Sequence, residues 1–564
     1  MKRLRWQILI VVLALVAIAI LLASQQTPAT VQTFEPEPVS GGIYREALIG
    51  SLGRLNPVLD FNNQADRDID RLLYDSLIRF DDRGLAQAGL AESWGISRDG
   101  TIYNFSLRRD ARWHDGQPIT SADVVFTIEL LRSPDLPVPP ELRGFWQELE
   151  VIALDDYTFQ IQLPEPFSPL LDYLAFGLLP EHILGDLSPA GLVDADFNLE
   201  PVGSGPYRFD YWLVEQEQIV GVVLAANADY YLGSPFIDQF IFRYFADASA
   251  AFAAYQAGEV QGISQVTAEI LTAALQEPEL NFYTGRLPET SMIFFNLDHP
   301  ELPFFQDASI RRAFLLGLNR QAMIDRFLNG QATIADGPIL PNTWAYFEGI
   351  VRLPYDPDQA IEILKQAGYS IPASGGTVRA YEEFELSFTL LHPDDALHTA
   401  MAEQIQGSWQ AIGVAVRLQA LPYDELVSDH LEPRLFHAVL IDLSLMRTPD
   451  PDPYPFWHQT QATAGQNYAL WNDRQASEYL EQARIIVDPL ERTRLYRNFQ
   501  VRFVNEMPAL PLFYPMYTYA VGSEVQGIGF GPLFDPSDRF KDVHQWFLYS
   551  EQVVVEIETP VSQP

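Results

Sequence analysis

Lys2, Arg3 and Arg5 precede an uncharged run from Trp6 to Ala23, and this opening constrains where the rest of the chain can fold. As a helix rising about 1.5 Å per residue, the run comes close to the thickness of a hydrocarbon core. Basic residues hold that end in the cytoplasm, so everything after it is expected to fold outside. The run is longer than most signal-peptide cores, and small residues near Ala23 and Ala29 form a soft cleavage site. Residues 1–24 therefore read as an uncleaved membrane anchor or as a removed signal peptide. There is no cysteine, which excludes a lipid-carrying cysteine, a disulfide framework, a thiolate metal centre and a cysteine nucleophile. Residues 25–40, rich in Pro, Thr and Gln, read as a flexible linker, and 551–564 as a C-terminal tail. No second spanning run follows.

The 564 residues carry 75 acidic against 36 basic side chains, a formal charge of -39. Such a polyanion repels phosphate backbones, so no nucleic-acid partner is expected. Helical and strand patterns alternate, which argues for mixed α/β lobes. Thr120 and Asp123 form a capping box ahead of Val124, Ile128 and Leu131. Asp307 and Asn319 cap two further segments. Asp356-Pro357 and Asp488-Pro489 each place a cap and then proline in the first helical turn. Leu397, Met401, Ile405, Trp409 and Ile412 make an apolar stripe, and Val414, Val416 and Leu418 then alternate as a strand. Helical patterns gather after residue 290, which suggests two unequal lobes.

A search for catalytic groups returns mostly absences. Gly203-Ser204-Gly205 lacks the spacing of a nucleophile elbow, and Gly527-Ile-Gly529-Phe-Gly531 opens no helix. His392 and His398 are too far apart for one helical zinc face. His114-Asp115 reads either as an acid-base pair or as a tight turn beside a buried Trp113. Neither a cofactor nor a metal site is expected. The run from Asp442 to Gln459 is different, because Asp450-Pro-Asp-Pro453 forces an extended path into Tyr454, Phe456, Trp457 and His458. Aromatics beside carboxylates suit capture of a small molecule, or else they cover the core of a lobe.

One resemblance accounts for most of the chain. Gly41-Gly42-Ile-Tyr-Arg-Glu, Leu55-Asn56-Pro57, Leu73-Tyr74-Asp75-Ser-Leu77, Leu90-Ala-Glu-Ser-Trp94, Trp113-His-Asp-Gly-Gln-Pro118 and Ala122-Asp123-Val-Val-Phe126 occur in order. Gly203-Ser-Gly-Pro-Tyr207, Asn227-Ala-Asp-Tyr230, Ile310-Arg311-Arg-Ala313, Tyr355-Asp-Pro357 and Pro508-Ala-Leu-Pro511 follow. Together they resemble the family 5 extracellular solute-binding proteins, the oligopeptide, dipeptide and nickel receptors of ABC importers. The resemblance runs over roughly 41 to 550.

It implies an α/β, two-lobe, periplasmic-binding-protein-like fold of type II. Lobe I would span 41–286 and 508–550, with an extra subdomain at about 68–200, and lobe II 287–507. Closure of the lobes would bury an unaltered solute, peptide by family default, for delivery to a membrane permease. The body would be a monomer on the outer face of the membrane or in the periplasm. The resemblance points to Asn62 and Asn63 in a first-lobe loop and to Arg447, Asp450, Tyr454 and Trp457 in a second-lobe loop. Tyr514 on the returning strand completes the expected ligand-binding set. Aligning Pro451 or Pro453 with the family's proline puts Arg447 or Pro449 where peptide binders keep an ammonium-pairing aspartate, and an Arg447 there could instead hold a carboxylate or phosphate. The alternative is an extracytoplasmic hydrolase of glycans or peptides that uses paired carboxylates.

Overall fold

The computed structural model describes residues 2–24, 30–445, 449–531 and 533–558. Local capping chemistry sets many of the helix starts. Thr120 and Asp123 complete their capping box at Ser121–Arg132, and the Asp307, Asn319, Asp356 and Asp488 side chains each accept a backbone N–H of the helix that follows. The apolar stripe forms Ala396–Ala411, followed by strand Ala415–Leu421.

Twelve strands join in one mixed sheet. Its spine is the strand Ala509–Gly522, which pairs with Glu289–Phe295 through its first part and with Leu280–Arg286 through its second. Beyond the spine on one side lie Gly262–Ile263, Ile43–Ile49, Gln239–Phe245, Gln218–Ala226 and Tyr207–Glu215; on the other lie Ala438–Ser444, Ser387–Pro393 and Ala415–Leu421. The chain therefore passes between halves twice. One crossing is the short link Leu287-Pro288. The other, expected near residue 508, falls inside the spine, between Phe513 (opposite Ser291) and Met516 (opposite Arg286).

A separate antiparallel sheet, in the order Ala91–Ile96, Ile102–Leu107, Thr158–Gln162 and Glu150–Asp155, lies within 68–200 and packs with helices Ser121–Arg132 and Pro140–Glu148. Its core is continuous with that of the first half. In the second half, neighbouring residues of one strand face opposite ways. Phe295 joins Phe388 and Trp409 on one side of the sheet, and Phe294 joins Trp457 and Phe503 on the other.

Three motifs scattered in sequence meet at one point. Ser204 and Gly205 donate their amides to the Leu73 carbonyl at the end of helix Gln64–Leu73. A side chain at Gly203 would put its Cβ 1.9 Å from that same carbonyl oxygen, so only glycine fits. His114 completes the joint. Its Nδ1 accepts from Gly203 N at 3.1 Å, which leaves Nε2 to donate to the Gly205 carbonyl. Burial pushes its pKa down to about 4, so His114 is a neutral structural imidazole next to a buried Trp113, as the tight-turn reading has it.

At the centre of the first half, Arg539 is wholly buried between Glu46 and Asp68, 2.7 Å from each. The second Glu46 oxygen accepts from Tyr44 and Tyr519 hydroxyls at 3.0 and 2.8 Å. Burial raises the Glu46 pKa, against the pull of Arg539.

The termini depart from expectation. Residues 25–40 read as a linker, yet Thr30–Val39 is a strand paired antiparallel with Tyr549–Glu558, so the expected tail is also largely strand. Val31, Phe34 and Val39 match β-prone Ile557, Val554 and Tyr549 across the ribbon. Pro36 and Pro38, two apart, place their missing N–H groups on one side of the strand, which a two-stranded ribbon can leave unpaired. Lys2–Ser24 forms a helix whose described side chains, Trp6 to Ile20, are all exposed. Among the described residues no helix is long and apolar enough to cross a membrane.

Arg539→Met should lower stability by about 3–5 kcal/mol, because Glu46 and Asp68 would be left buried without their counter-charge. A fall in the urea midpoint of the first half, read by Trp fluorescence, checks this. A midpoint within error of the parent's would contradict it.

Candidate functional site

The site begins with helix Gln64–Leu73. Asn63 caps it, accepting from the amides of Ala65 and Asp66. Ala65, Asp68, Ile69 and Leu72 turn inward and are buried. Arg67, Asp70, Arg71 and Tyr74 recur at helical spacing on another face and line a cavity. Opposite runs the returning segment with the 3-10 turn Pro536–Phe540, joined to the helix by complementary charge. Arg67 meets Asp535 at 3.0 Å, Asp68 meets Arg539 at 2.7 Å, and Arg71 meets Asp538 at 3.4 Å.

The cavity is about 430 Å³, within the range of small-ligand sites. Its first-half wall comprises Pro57, Asp60, Phe61, that helix face, Ile78–Phe80 and the Phe534–Lys541 segment. The small-sheet unit supplies Leu131, Leu142, Asp172, Tyr173 and Phe176, and the second half contributes Pro449. Gly84, at φ +79°, lets that proline approach, since a Cβ there would lie 3.3 Å from both the Pro449 side chain and its carbonyl oxygen. A second recess, of about 710 Å³, is lined by second-half residues alone, among them Arg311, Asp473 and Arg502. Movement between halves would leave it unchanged.

The second half bears directly on the small-sheet unit. Ser168 donates to the Ile486 carbonyl at 2.6 Å, and Arg484 lies over the Phe167 ring at 5.5 Å. Trp344 donates its amide to the Arg83 carbonyl at 2.9 Å. Beside the cavity, the Asp450 amide donates to Asp172 Oδ1 at 2.9 Å. Asp450 itself is held by Arg492 at 2.6 Å, by the Tyr496 hydroxyl at 3.2 Å and by the Asp452 amide at 3.1 Å. Burial, and then the Asp450 carboxylate, raise the Asp172 pKa well above the usual carboxylate range. Burial raises the Asp450 pKa as well, against the pull of Arg492.

None of the six described residues expected to bind ligand lines this cavity. Asn62 is exposed nearby, and Asn63 is committed to its cap. Asp450 is a buried partner of Arg492 that acts on the cavity only through its amide. Tyr454 stacks on His458 at 4.1 Å, and the Arg484 guanidinium lies over the Tyr454 ring at 3.9 Å. Trp457 is buried in the second-half core, stacked on Phe294 at 5.5 Å. Tyr514 is buried and donates to the Gly337 carbonyl at 2.8 Å. Arg447 lies outside the described residues. The aromatic run thus covers the core of a lobe; 450–453 is non-helical, and the short helix Tyr454–Trp457 follows it. Asp60, Phe61 and Pro449 of the lining do come from the two expected loops. Reasoning from sequence missed Arg67, Asp70 and Arg71, whose i, i+3, i+4 charge pattern marks a functional helix face. It also missed Asp172, for which there was no local signal.

Residues 86–466 match the model of the bacterial extracellular solute-binding proteins, family 5 Middle. The oligopeptide-binding protein AppA of Bacillus subtilis (strain 168) is 27% identical, over 97% of this chain and 100% of that protein. The dipeptide-binding protein of Escherichia coli (strain K12) is 25% identical, over 86% of this chain and 91% of its own length. The solved structure of AppA in complex with a nonapeptide aligns at TM-score 0.66 and 26% identity, covering 91% of this chain and 100% of that one. HbpA2 from Haemophilus parasuis aligns at TM-score 0.76 and 22% identity, covering 91% and 100%, a likeness of fold. These matches bear out the resemblance read from the sequence and the two-lobe α/β fold. They give the hydrolase alternative no support.

The folded state holds the Asp172 proton to higher pH than the unfolded state does, so stability falls as pH rises above the ordinary carboxylate range. Asp172→Asn keeps an acceptor for the Asp450 amide and removes that loss. Without solute, the variant should melt about 1–3 °C above the parent at pH 7, the gap closing towards pH 4. Differential scanning calorimetry across that range checks it, and an equal or lower melting temperature at pH 7 would contradict the assignment.

Proposed function

Because the chain belongs to the family 5 bacterial extracellular solute-binding proteins, we propose that it captures a peptide-like or other small solute in the cavity beneath Pro449 and delivers it to the permease of an ABC importer. The observation that carries this reading is the cavity's construction. Its walls come from the first half, the small-sheet unit and the second half together, so a solute bound there contacts all three only when the halves are together. Such differential contact is what shifts a receptor towards its closed form. A permease can then distinguish loaded from empty by surface alone. No bond in the solute has to change.

The uncharged, exposed and mostly apolar stretch from Trp6 to Ile20 of helix Lys2–Ser24 supports anchoring of the body to the outer face of the membrane, because such a surface favours an apolar surround. The relatives named for oligopeptides and dipeptides support peptide as the default solute. The working state proposed for this receptor is a monomer.

Thermal-shift measurement of the purified full chain against dipeptides, tripeptides, opines and metal chelates tests the reading. One class should raise the melting temperature progressively with concentration, as binding to the folded form requires. A flat response to every class by folded, solute-free protein would remove the receptor role. Membrane fractionation of the native host should leave the protein with the membrane pellet. Quantitative release as a form shortened at its N-terminus would remove the anchor.

A further inference from the structure

We infer that the solute taken by this cavity carries a cationic group, an ammonium or a guanidinium, and that the Asp172 carboxylate receives it. The inference rests on the receptor reading above and deepens it.

Seven carboxylates and four basic side chains stand among the described residues of the lining. The four bases are already engaged by the protein. Arg67 meets Asp535 and donates to the carbonyls of Asp60 and Phe61. Arg71 meets Asp538, Arg79 donates to the Lys541 carbonyl and to Asp542, and Lys541 meets Asp82. These cations hold helix Gln64–Leu73 and its neighbours in place and leave the cavity with an excess of negative charge.

Asp172 is the carboxylate best placed to use that excess. It is 9% exposed and sits on the short 3-10 segment Ser168–Leu174 of the small-sheet unit. One of its oxygens is fixed by the Asp450 amide. Behind it lies the Asp450 carboxylate, whose own counter-charge, Arg492, is directed at Asp450. A cation entering the cavity would supply what this pair lacks. Phe61, Phe80, Tyr173, Phe176 and Phe534 line the same space, and aromatic faces favour a cation over an anion. The formal charge of -39 acts in the same direction from a distance, raising the local concentration of cationic solutes.

Isothermal titration of the full chain in detergent, with two probes of similar shape, tests this. They are the dipeptide amide Phe-Arg-NH2 and its uncharged counterpart N-acetyl-Phe-citrulline-NH2. The cationic probe should bind at least about tenfold more tightly to the parent, as expected for a desolvated charge pair. In Asp172→Asn that preference should shrink by about tenfold. The parent comparison stands even if the variant fails to fold. Equal affinity for the two probes, or a preference that survives in folded Asp172→Asn, overturns the proposal. If an uncharged or succinylated probe binds and the cationic one does not, the charge assignment falls and the receptor reading stands. If cationic, neutral and anionic probes all leave the melting temperature unmoved, both fall.

Discussion

Arg539 is the point on which the first half of the molecule is assembled. Its guanidinium, fully buried, joins Glu46 on an early strand to Asp68 on helix Gln64–Leu73, while Tyr519 on the spine shares the same glutamate. Four segments distant in sequence are thereby fixed to one another by charge-assisted hydrogen bonds. Two acids and one base buried together carry an electrostatic cost that only full hydrogen bonding offsets. The arrangement is satisfied from every side, and that makes it a device for position. With Asp68 pinned, the helix has one permitted rotation, and Arg67, Asp70, Arg71 and Tyr74 are turned towards the cavity.

The same logic recurs where the halves meet. Asp450 is locked by Arg492 and Tyr496 in the second half, and it extends only its backbone amide across the gap to Asp172. Three buried groups thus determine where one carboxylate oxygen points. Ser168 with Ile486, and Arg484 with Phe167, fix the neighbouring backbone. The cavity is therefore bounded by both halves and the small-sheet unit, and its shape depends on their being together. A receptor that signals by closing needs that property.

Much of this was legible in the sequence, and the division is physical. Caps at Thr120, Asp307, Asn319, Asp356 and Asp488 could be read because their chemistry is local, involving three or four residues. The ordered family motifs gave the lobes because a fold is distributed over the whole chain. What could not be read was pairing at long range. Arg539 and Asp68 lie far apart in sequence, and each alone looks like an ordinary surface charge. Trp457 and Tyr514 show the converse. An aromatic in a loop has the same local signature whether it walls a cavity or fills a core, and only its partners, Phe294 and the Gly337 carbonyl, decide. Thr30–Val39 reads as linker from sequence because its prolines argue against a strand, and its partner stands far away in sequence.

That paired ribbon has a mechanical consequence. Ten residues matched in register from Thr30 with Glu558 to Val39 with Tyr549, at about 3.3 Å each, make a strut roughly 33 Å long where a coil would collapse and swing. Under the proposed anchoring, such a strut fixes a stand-off distance between bilayer and body and damps rotation about it. A docking face would then be presented at constant height. The C-terminal residues, by zipping to the N-terminal ones, become part of the mounting.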